Sequence, residues 1–386
     1  MEKFNLVIKT SFGLEDILVG ELKSLGALKV EKGVRAVTAE GDQRLLYKIN
    51  LCSRVALRVL RPVKKFRAAN EHQLYDEIKK IDWSRYMSVD DTLAVDAVVN
   101  KSVMTHSLYI ALKTKDAIVD QFRDKTGQRP SVDLVRPSLR IHLHINGEDA
   151  EVSLDSSGDS LHKRGYRMQT GDAPINEALA AGLIMLSGWD KQSPFLDFMC
   201  GSGTIVIEAA MIALNIAPGM MRKEFGFQRW KDFDSKAWQE VRQEAVAAQK
   251  NEINFPITGV DLHSTMIQHA RTNASAAGVL KHISFQQMTF ENFIPQQGPG
   301  TIVINPPYGG RITSNDLLVL YKTMGDQFKK KYPGWNAYVF TANMEAGKNI
   351  GLKPSRKIPL FNGKLECRLL KFEMYAGTKR QSEKPI

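Results

Sequence analysis

The segment that decides the fold is DFMCGSGTIVIEAA, residues 197–210. An apolar run over 194–198 predicts a buried strand before it, and a helical pattern begins near residue 204. Gly201 and Gly203 permit a tight turn and a close approach between the backbone and a ligand. Strand, glycine loop and helix in this order are typical of the nucleotide-binding unit of doubly wound α/β folds. The alternative is a glycine-rich turn that serves packing alone, since neither G-x-G-x-x-G nor the GK[ST] of a P-loop is present.

An acidic residue stands at the end of each of two predicted strands. Asp197, at the tip of the first strand, suits a ligand with a cationic amine better than one with a pyrophosphate. The next strand, 256–260, leads into Asp261, where an acid can accept hydrogen bonds from both hydroxyls of a ribose. In doubly wound folds about 20 residues usually separate the glycines from this acid. Here the separation is longer, because a helical insertion that includes 235–250 lies between Gly203 and Asp261. An amine, a ribose and a transferable group occur together in S-adenosylmethionine.

A second motif follows a later strand, in TIVINPPYGGR at 301–311. Pro306 and Pro307 have no N–H, so the strand must stop there, and Asn305 is held extended as a residue before proline. The exocyclic amine of a nucleobase is a poor nucleophile, and acceptors aimed at its hydrogens, such as the Asn305 amide oxygen, would direct its lone pair at a methyl group. Tyr308 can stack on a base that has been flipped out, and Tyr308→Phe is then expected to resemble the wild type. The alternative is an ordinary strand-to-loop turn.

Hydrophobic periodicity divides the chain into two regions. Residues 1–155 are predicted to form a small α+β region, and the polar stretch 156–172 is a candidate linker. The alternation after the linker predicts a parallel sheet with helices on both faces. The predicted elements before the linker are a strand at 4–8, a helix ending near Gly26, a strand at 93–99, a helix at 106–125 and a hairpin at 141–155 with Asn146-Gly147 as its turn. Those after it are helix 174–187, strand 194–198, a long helix from 204, strand 256–260, helix 264–277 and strands 282–286 and 301–304.

The composition is that of a soluble globular protein. The apolar content of 43% and the charged content of 25% are ordinary for this class, and the length of 386 residues favours two or three domains. No apolar run approaches the roughly 20 residues of a membrane span, and the N-terminus lacks the apolar core of a signal peptide. The cysteines at 52, 200 and 367 are far apart, so neither a disulfide nor a metal site is predicted. A reducing cytoplasm fits best.

The net charge of +11 predicts a polyanionic partner, RNA or DNA. Residues 321–386 hold fourteen basic against five acidic residues, including the run 329–331. The alternative for each basic stretch is a solvated face. An acid-free stretch from 54 to 67 is the first candidate RNA-binding surface, with Arg54, Arg58, Arg61, Lys64, Lys65 and Arg67, and Arg164 and Arg167 after the linker are added to it.

Taken together, these motifs resemble a known family. With HKRGYRMQTGDAPINEALAA (162–181) and IAPGMMRKEFGFQRW (216–230), they are similar to the bacterial THUMP-domain RNA guanine-N2 methyltransferases, above all the 23S ribosomal RNA enzymes. The resemblance covers nearly the whole chain. It implies a ferredoxin-like segment (1–55), a THUMP RNA-binding domain (56–156), a linker (157–172) and a Rossmann-like class I methyltransferase domain (173–386).

The resemblance also implies roles for individual residues. The motif Asn305–Tyr308, with Pro306 and Pro307, would hold the target amine. Thr289 stands where the family commonly has an acid that binds adenine, so a hydroxyl or the backbone would make that contact. The other implied cofactor contacts are Asp197, Met199, Cys200 through its backbone, Gly201 and Gly203 at the methionine, Asp261 and Leu262 at the ribose, and Pro174, Asn176 and Glu177 in the segment that closes over the cofactor.

Guanine N2 as the target rests on the resemblance alone, because an N-P-P-Y motif serves adenine N6 equally well in other enzymes. One alternative is therefore an adenine-N6 methyltransferase acting on RNA or DNA. Another is a non-catalytic RNA-binding or ribosome-assembly protein with a worn cofactor site, which only Thr289 favours.

Overall fold

The computed structural model describes residues 2–169, 175–295, 298–309 and 313–375. The chain forms two compact units, each assembled from separated stretches. The first comprises Met1–Thr10, Leu18–Leu161 and Arg222–Glu244, and the second Ser11–Ile17, His162–Met221 and Ala245–Ile386. The stretch 222–244, which sequence analysis assigns to the methyltransferase domain, therefore groups with the first unit. The predicted domain boundaries after residues 55, 156 and 172 stay predictions.

An eight-stranded sheet forms the framework of the first unit, in the order β2-β3-β1-β4-β8-β7-β5-β6. Neighbouring strands pair antiparallel, except that β5 is parallel to both β6 and β7. The strands are β1 Phe4–Thr10, β2 Leu28–Lys32, β3 Ala36–Gly41, β4 Ala56–Arg67, β5 Thr92–Asn100, β6 Ser131–Val132, β7 Leu139–Asn146 and β8 Asp149–Asp155.

Strand β4 joins the two halves of this sheet. Its residues up to Leu60 pair with β1, and those from Leu60 onward pair with β8. The register shifts between Pro62 and Lys64, as expected where a proline cannot donate to the ladder. Sequence analysis treated this stretch only as a basic cluster, because its cations obscure the buried positions Val59 and Leu60.

The hairpin predicted over 141–155 is present, with a small shift at its turn. Strand β7 ends at Asn146 and β8 begins at Asp149, so Gly147 and Glu148 form the connection. Gly147 has φ +66°, a left-handed conformation that glycine adopts at low cost. The predicted turn is therefore one residue too early.

The helices follow the predicted periodicity in most places. Asn176 caps one of them through a hydrogen bond from the Leu179 N–H at 2.8 Å, and Gly127 ends another in the left-handed conformation. In chain order they are α1 Glu15–Ser24, α2 Gln43–Cys52, α3 Glu71–Lys79, α4 Ser107–Thr126, α5 Glu177–Ser187, α6 Thr204–Ala213, α7 Ser235–Ala247, α8 Ser264–Ala276, α9 Ser314–Lys331 and α10 Met344–Asn349.

Helix α6 is shorter than the sequence predicts. Asn215 has φ +54°, which is incompatible with a continuing α-helix, and Pro218 follows it. The stretch between α6 and α7 holds one short 3₁₀ turn, Gly226–Arg229. The expectation of a helix running on from 204 is therefore wrong beyond Ala213.

A seven-stranded sheet forms the framework of the second unit, in the order β11-β10-β9-β12-β13-β15-β14. The first five strands in this order are parallel, and β15 is antiparallel to both its neighbours. The chain order reverses between β9 and β12, which is a topological switch point of the kind where doubly wound folds bind ligands. The strands are β9 Phe195–Asp197, β10 Ile257–Asp261, β11 Ser284–Gln287, β12 Thr301–Ile304, β13 Asn336–Thr341, β14 Arg356–Asn362 and β15 Leu365–Glu373.

No helix among the described residues is both long and apolar enough to cross a bilayer.

Candidate active site

The two sequence motifs meet at one edge of the parallel sheet. Strands β9 and β12 are direct neighbours, with Phe195 opposite Thr301 and Leu196 opposite Ile302. Because both strands run in the same direction, the glycine loop (Asp197–Gly203) and the N-P-P-Y corner (Asn305–Tyr308) leave the sheet at the same edge. This arrangement is the one that the combined interpretation of the two motifs requires.

Backbone hydrogen bonds hold the glycine loop in place. The Cys200 N–H donates to the Val260 carbonyl at 2.9 Å, which ties the loop to the end of β10, and the Gly203 N–H closes a turn on the Cys200 carbonyl at 2.8 Å. Gly203 has φ +86°, and a Cβ there would lie 2.9 Å from the Cβ of Ala270 on α8. A side chain is therefore excluded at Gly203 by both conformation and helix packing.

Asp197 is almost fully buried, with 1% of its surface exposed. One carboxylate oxygen accepts the Met199 N–H at 3.1 Å. Burial, with a smaller contribution from nearby Asp261, raises the pKa of Asp197 to about 8. A buried carboxyl of this kind fits a cationic ligand, because a positive charge beside it would compensate the cost of its ionised form.

Asp261 supports the loop and still has acceptor capacity. Its Oδ2 accepts the Gly201 N–H at 3.0 Å, and its Oδ1 accepts the His263 N–H at 2.9 Å. A carboxylate offers about four lone-pair sites, so about two stay available for ribose hydroxyls. Its geometry thus fits the predicted ribose contact.

Asn273 on α8 is a residue of this region that sequence analysis missed. Its amide makes four hydrogen bonds of 2.9 to 3.0 Å: from the N–H groups of Met168 and Gln169, and to the carbonyls of Gln169 and Ser202. It therefore fastens the segment that leads to residue 169 onto the glycine loop. The available signal was an amide at a core-facing position of a helix, one turn after buried Ala270.

The other predicted cofactor residues divide into two groups. Asn176 and Glu177 are already engaged, the first as the cap of α5 and the second in an ion pair with Arg167 at 2.8 Å. Leu262 is 57% exposed beside Asp261, and Met199 and Thr289 are half-buried.

Burial raises the pKa of the Cys200 thiol well above its usual value, so an activated thiolate is not favoured. Pro174 lies outside the described residues.

The N-P-P-Y corner presents acceptors to which no described residue donates. The Asn305 Oδ1 is buried and accepts no hydrogen bond from the residues that the structure describes. Nor does any backbone N–H in these ranges bond to the carbonyl oxygen of Asn305 or Pro306. A buried acceptor without a donor costs about 1–3 kcal/mol, so Asn305 Oδ1 is the atom of this corner that would gain most from a donor on a ligand.

Two side chains from other elements hold the remainder of the corner. The hydroxyl of Tyr321 on α9 donates to the Pro307 carbonyl at 3.2 Å and is itself 2.8 Å from the Thr341 hydroxyl. The Asn362 amide, at the end of β14, donates to the Tyr308 hydroxyl at 2.8 Å. Neither Tyr321 nor Asn362 has a local sequence signal that links it to the motif, since they lie 14 and 54 residues from the groups that they bond.

The predicted RNA-binding stretch on β4 is neutralised by acids from elsewhere in the first unit. Arg54 lies beside half-buried Glu21, whose carboxylate accepts the Arg54 backbone N–H at 2.8 Å. Lys65 and Arg67 are the most exposed, at 76% and 77% of their side chains. The ion pairs are Arg58 with Asp155, Arg61 with Asp232, Lys64 with Glu77, Lys65 with Glu151 and Arg67 with Glu148.

Arg164 and Arg167 are structural in this arrangement. Arg164 is 1% exposed and pairs with buried Glu208, so RNA cannot reach it and its predicted role is wrong. Arg167 donates to Glu177, to the Ile175 carbonyl and to the Thr204 hydroxyl, which ties the segment before α5 to the start of α6. A count of charges along the sequence cannot distinguish such paired arginines from free ones.

No group of three or more His, Cys, Asp or Glu residues within the described ranges is placed to hold a metal ion.

Comparisons with known proteins agree with this architecture. Family models match in three places: an RlmL ferredoxin-like domain over 5–60, a THUMP domain over 68–155 and an RMKL-like methyltransferase domain over 164–371. A solved structure described as “a putative methyltransferase complexed with SAH” is 31% identical with a TM-score of 0.88, and the match covers 98% of this chain and 100% of that one. The second unit is thus a class I methyltransferase domain, and the predicted fold class is confirmed.

The chain belongs to the RMKL-like methyltransferase family. A protein of Synechocystis sp. named “Putative RNA methyltransferase” is 42% identical over 94% of this chain and 95% of its own length. “Ribosomal RNA large subunit methyltransferase K/L” of Syntrophotalea carbinolica is 41% identical over 94% of this chain. That match covers 52% of the relative, so the chain spans about half the length of the K/L proteins.

Proposed function

We propose that the protein transfers a methyl group from S-adenosylmethionine to the exocyclic N2 amine of a guanosine in RNA, with 23S ribosomal RNA as the substrate. The single observation that carries the chemistry is the buried Asn305 Oδ1, which accepts no hydrogen bond from any described residue and follows the strand next to the one that precedes the glycine loop. An acceptor in this place is suited to a ligand that brings N–H donors, as an exocyclic amine does. A worn, non-catalytic site gives no reason to keep such an acceptor unsatisfied.

The residues of the glycine loop fit the proposed cofactor. S-adenosylmethionine supplies an electrophilic methyl group on a sulfonium, together with an amine and a ribose. Asp197 offers a buried carboxyl to the positive charge, and Asp261 offers its remaining lone pairs to the ribose hydroxyls. The backbone around Gly201 has φ +52°, and a Cβ there would meet no atom within 4 Å, which leaves room for a ligand.

The residues of the corner fit the proposed acceptor of the methyl group. Asn305 Oδ1 and the Pro306 carbonyl would accept the two amine hydrogens and turn the nitrogen lone pair toward the cofactor site. As positive charge develops on the nitrogen, these oxygens stabilise it without reorganisation, because the prolines and Tyr321 already fix the backbone. The Tyr308 ring would hold the plane of the base. No strong base is required, since the methylated nitrogen can release its proton to water.

The choice of substrate rests on the relatives. Those that match most of this chain are named as RNA or ribosomal RNA methyltransferases, and a THUMP domain precedes the methyltransferase domain. The acceptors of the corner do not by themselves distinguish guanine N2 from adenine N6, because both amines present two hydrogens. Guanine therefore follows from the family resemblance, and a cytoplasmic location follows from a ribosomal substrate.

One experiment tests substrate and product together. The protein is incubated with methyl-labelled S-adenosylmethionine and total RNA from a strain that lacks the gene, and the labelled nucleoside is identified after digestion. N2-methylguanosine in the 23S fraction is the expected result. Label in N6-methyladenosine would overturn the guanine assignment, and label in transfer RNA would overturn the ribosomal one. An Asn305→Ala preparation serves as the control for contaminating activity.

A further inference from the structure

A hydrogen bond holds the hydroxyl end of the Tyr308 side chain. We propose that Asn362 is a positioning residue for the methyl transfer, because it fixes the position of the ring on which the target base stacks. The inference rests on the proposed function and names a part of the same site. Its basis is the 2.8 Å contact in which the Asn362 Nδ2 donates to the Tyr308 Oη.

Asn362 is held by the hairpin that closes one edge of the second unit's sheet. It is the last residue of β14, it pairs with Leu365 across the turn, and β15 continues the ladder to β13. Its neighbour Phe361 packs edge-on against Phe12, with 5.5 Å between the ring centroids. The amide therefore projects from a fixed point, and the hydrogen bond transmits that position to the Tyr308 ring.

The N-P-P-Y corner is consequently fixed at two places. Tyr321 holds the Pro307 carbonyl, and Asn362 holds the Tyr308 hydroxyl. Between these anchors and the glycine loop, the Asn305 oxygen stays unpartnered among the described residues. A base stacked on a side chain whose hydroxyl end is anchored presents its amine to that oxygen in one position, whereas a base on an unanchored side chain samples several.

The hydrogen bond also makes the phenol oxygen of Tyr308 an acceptor toward Asn362. Burial raises the pKa of Tyr308, so its hydroxyl is protonated at neutral pH. With Asn362 donating to the oxygen, Tyr308 keeps its own proton for another acceptor. If the Tyr308 ring acts by stacking alone, Tyr308→Phe should resemble the wild type; if Asn362 acts through the hydroxyl, Tyr308→Phe should be slower.

The test is a double-mutant cycle on the full-length protein. Single-turnover methylation of the RNA fraction described above is measured for Asn362→Leu, Tyr308→Phe and the double variant. We expect each single change to slow the rate about 5- to 10-fold, and the double variant to be no slower than either, because both remove the same interaction. RNA affinity, measured by filter binding, should stay within about twofold of the wild type in all three.

Two further variants separate positioning from general damage. Asn362→Asp keeps a hydrogen bond in which the roles are exchanged, because the protonated phenol of Tyr308 can donate to the carboxylate. This variant should therefore be much faster than Asn362→Leu and close to the wild type. Asn349→Leu removes an exposed amide that donates to the Glu345 carbonyl in α10, and should behave as the wild type. Additive losses in the double variant, a wild-type rate in Asn362→Leu, or an Asp variant as slow as the Leu variant would each overturn the proposal.

A readout independent of activity keeps the two proposals apart. In protein with carbon-13 in the tyrosine rings, the titration of Tyr308 should move to higher pH in Asn362→Leu, because the lost donor no longer favours the phenolate. An unchanged titration would show that the hydrogen bond is absent and would overturn the inference. A wild-type protein that methylates no RNA would refute the proposed function, while this titration would still decide whether the Tyr308 ring is anchored.

Discussion

The glycine loop and the N-P-P-Y corner are neighbours at one edge of a sheet, yet their polar groups differ in kind. The loop is satisfied within the protein, since Gly201, Gly203 and the carboxylates of Asp197 and Asp261 all have hydrogen-bond partners. The corner ends in an oxygen of Asn305 to which no described residue donates. The protein itself holds the loop in shape, and Asp261 keeps further lone pairs for a ligand, whereas the Asn305 oxygen has no donor among the described residues.

This difference separates two kinds of contribution to catalysis. A loop whose shape is fixed in advance loses little entropy on binding, so changes there should act mainly on ligand affinity. An acceptor left without a donor is costly in the free protein and gains most when charge develops on the bound amine, so changes there should act mainly on rate. Substitutions in the two regions can therefore test the comparison directly.

The largest effect is expected at Asn305. Replacing it with Ala removes the amide oxygen, and single-turnover methylation should slow by about 10²-fold or more, as expected for one preorganised electrostatic group. RNA and cofactor affinities should change little, because phosphate contacts elsewhere supply most RNA binding. Rapid-quench kinetics with saturating cofactor measures the rate, and equilibrium binding measures the affinities.

Asn349→Ala is the matched control for Asn305, since its amide bonds only within α10. It should leave both rate and affinity unchanged. A near-normal rate in Asn305→Ala would mean that the corner is an ordinary turn, and the contrast with the glycine loop would lose its functional meaning.

The next largest effect is expected at Asp261, and on binding. Asp261→Ala removes the ribose acceptors and the support of the Gly201 N–H, which should weaken cofactor binding by about 1.5–3 kcal/mol, or roughly 10- to 150-fold. Calorimetry measures the affinity. Asp190→Ala is a suitable control, because that carboxylate also accepts two backbone N–H groups, from Gln192 and Ser193, but lies before β9. Equal losses in the two variants would argue for a purely structural Asp261.

A pH dependence is expected from Asp197. If the cationic cofactor binds the ionised carboxylate, a pKa near 8 makes binding release a proton, and affinity should rise about fivefold between pH 7 and pH 8. Asp197→Asn should bind more weakly and lose this dependence. A wild-type affinity that is flat over this range would contradict the assignment.

The same pKa has a consequence for stability. A carboxyl whose pKa is higher in the folded than in the unfolded protein favours folding while it is protonated, and this contribution is lost as the pH rises from about 4 to about 8. Thermal unfolding of the ligand-free protein should therefore show a loss that Asp197→Asn does not share.

Much of the fold followed from local patterns. The β12 strand was predicted at its observed bounds, 301–304, and α8 differs from its prediction by one residue. Local pattern failed where tertiary pairing decides the structure. Strand β4 is long because it pairs with two different partners, and its alternation is hidden by cations whose acids lie up to 171 residues away along the chain.

The site residues that lie within the two local motifs could be predicted from the sequence. The glycine loop and Asn305 could be found because a turn and a strand end carry local signals. Asn273, Tyr321 and Asn362 could not, because each acts through a hydrogen bond to a distant segment that only the folded sheet brings near. The prediction that Arg164 binds RNA failed for the same reason, because the distribution of charges along the sequence does not show that this arginine is buried beside Glu208.

The smallest effect is expected from substitutions on strand β4, and it is an effect on RNA binding. Here the groups that already have partners within the protein are cations. The sequence predicts that this stretch binds RNA, and each lost phosphate contact would flatten the slope of log affinity against log salt by about 0.7 to 0.9. In the structure Lys65 and Arg67 are paired with Glu151 and Glu148, so each would have to leave an acid to reach a phosphate.

We therefore expect the double variant Lys65→Gln with Arg67→Gln to flatten the slope by less than the loss of one phosphate contact would, that is by less than about 0.7. Filter binding of 23S ribosomal RNA at several ionic strengths measures this slope. Lys353→Gln with Lys357→Gln removes the same charge from exposed positions and controls for net charge. A slope flatter by about 1.4 or more in the β4 variant alone would show that both cations contact phosphate, and that satisfied pairs on this protein do exchange partners when RNA binds.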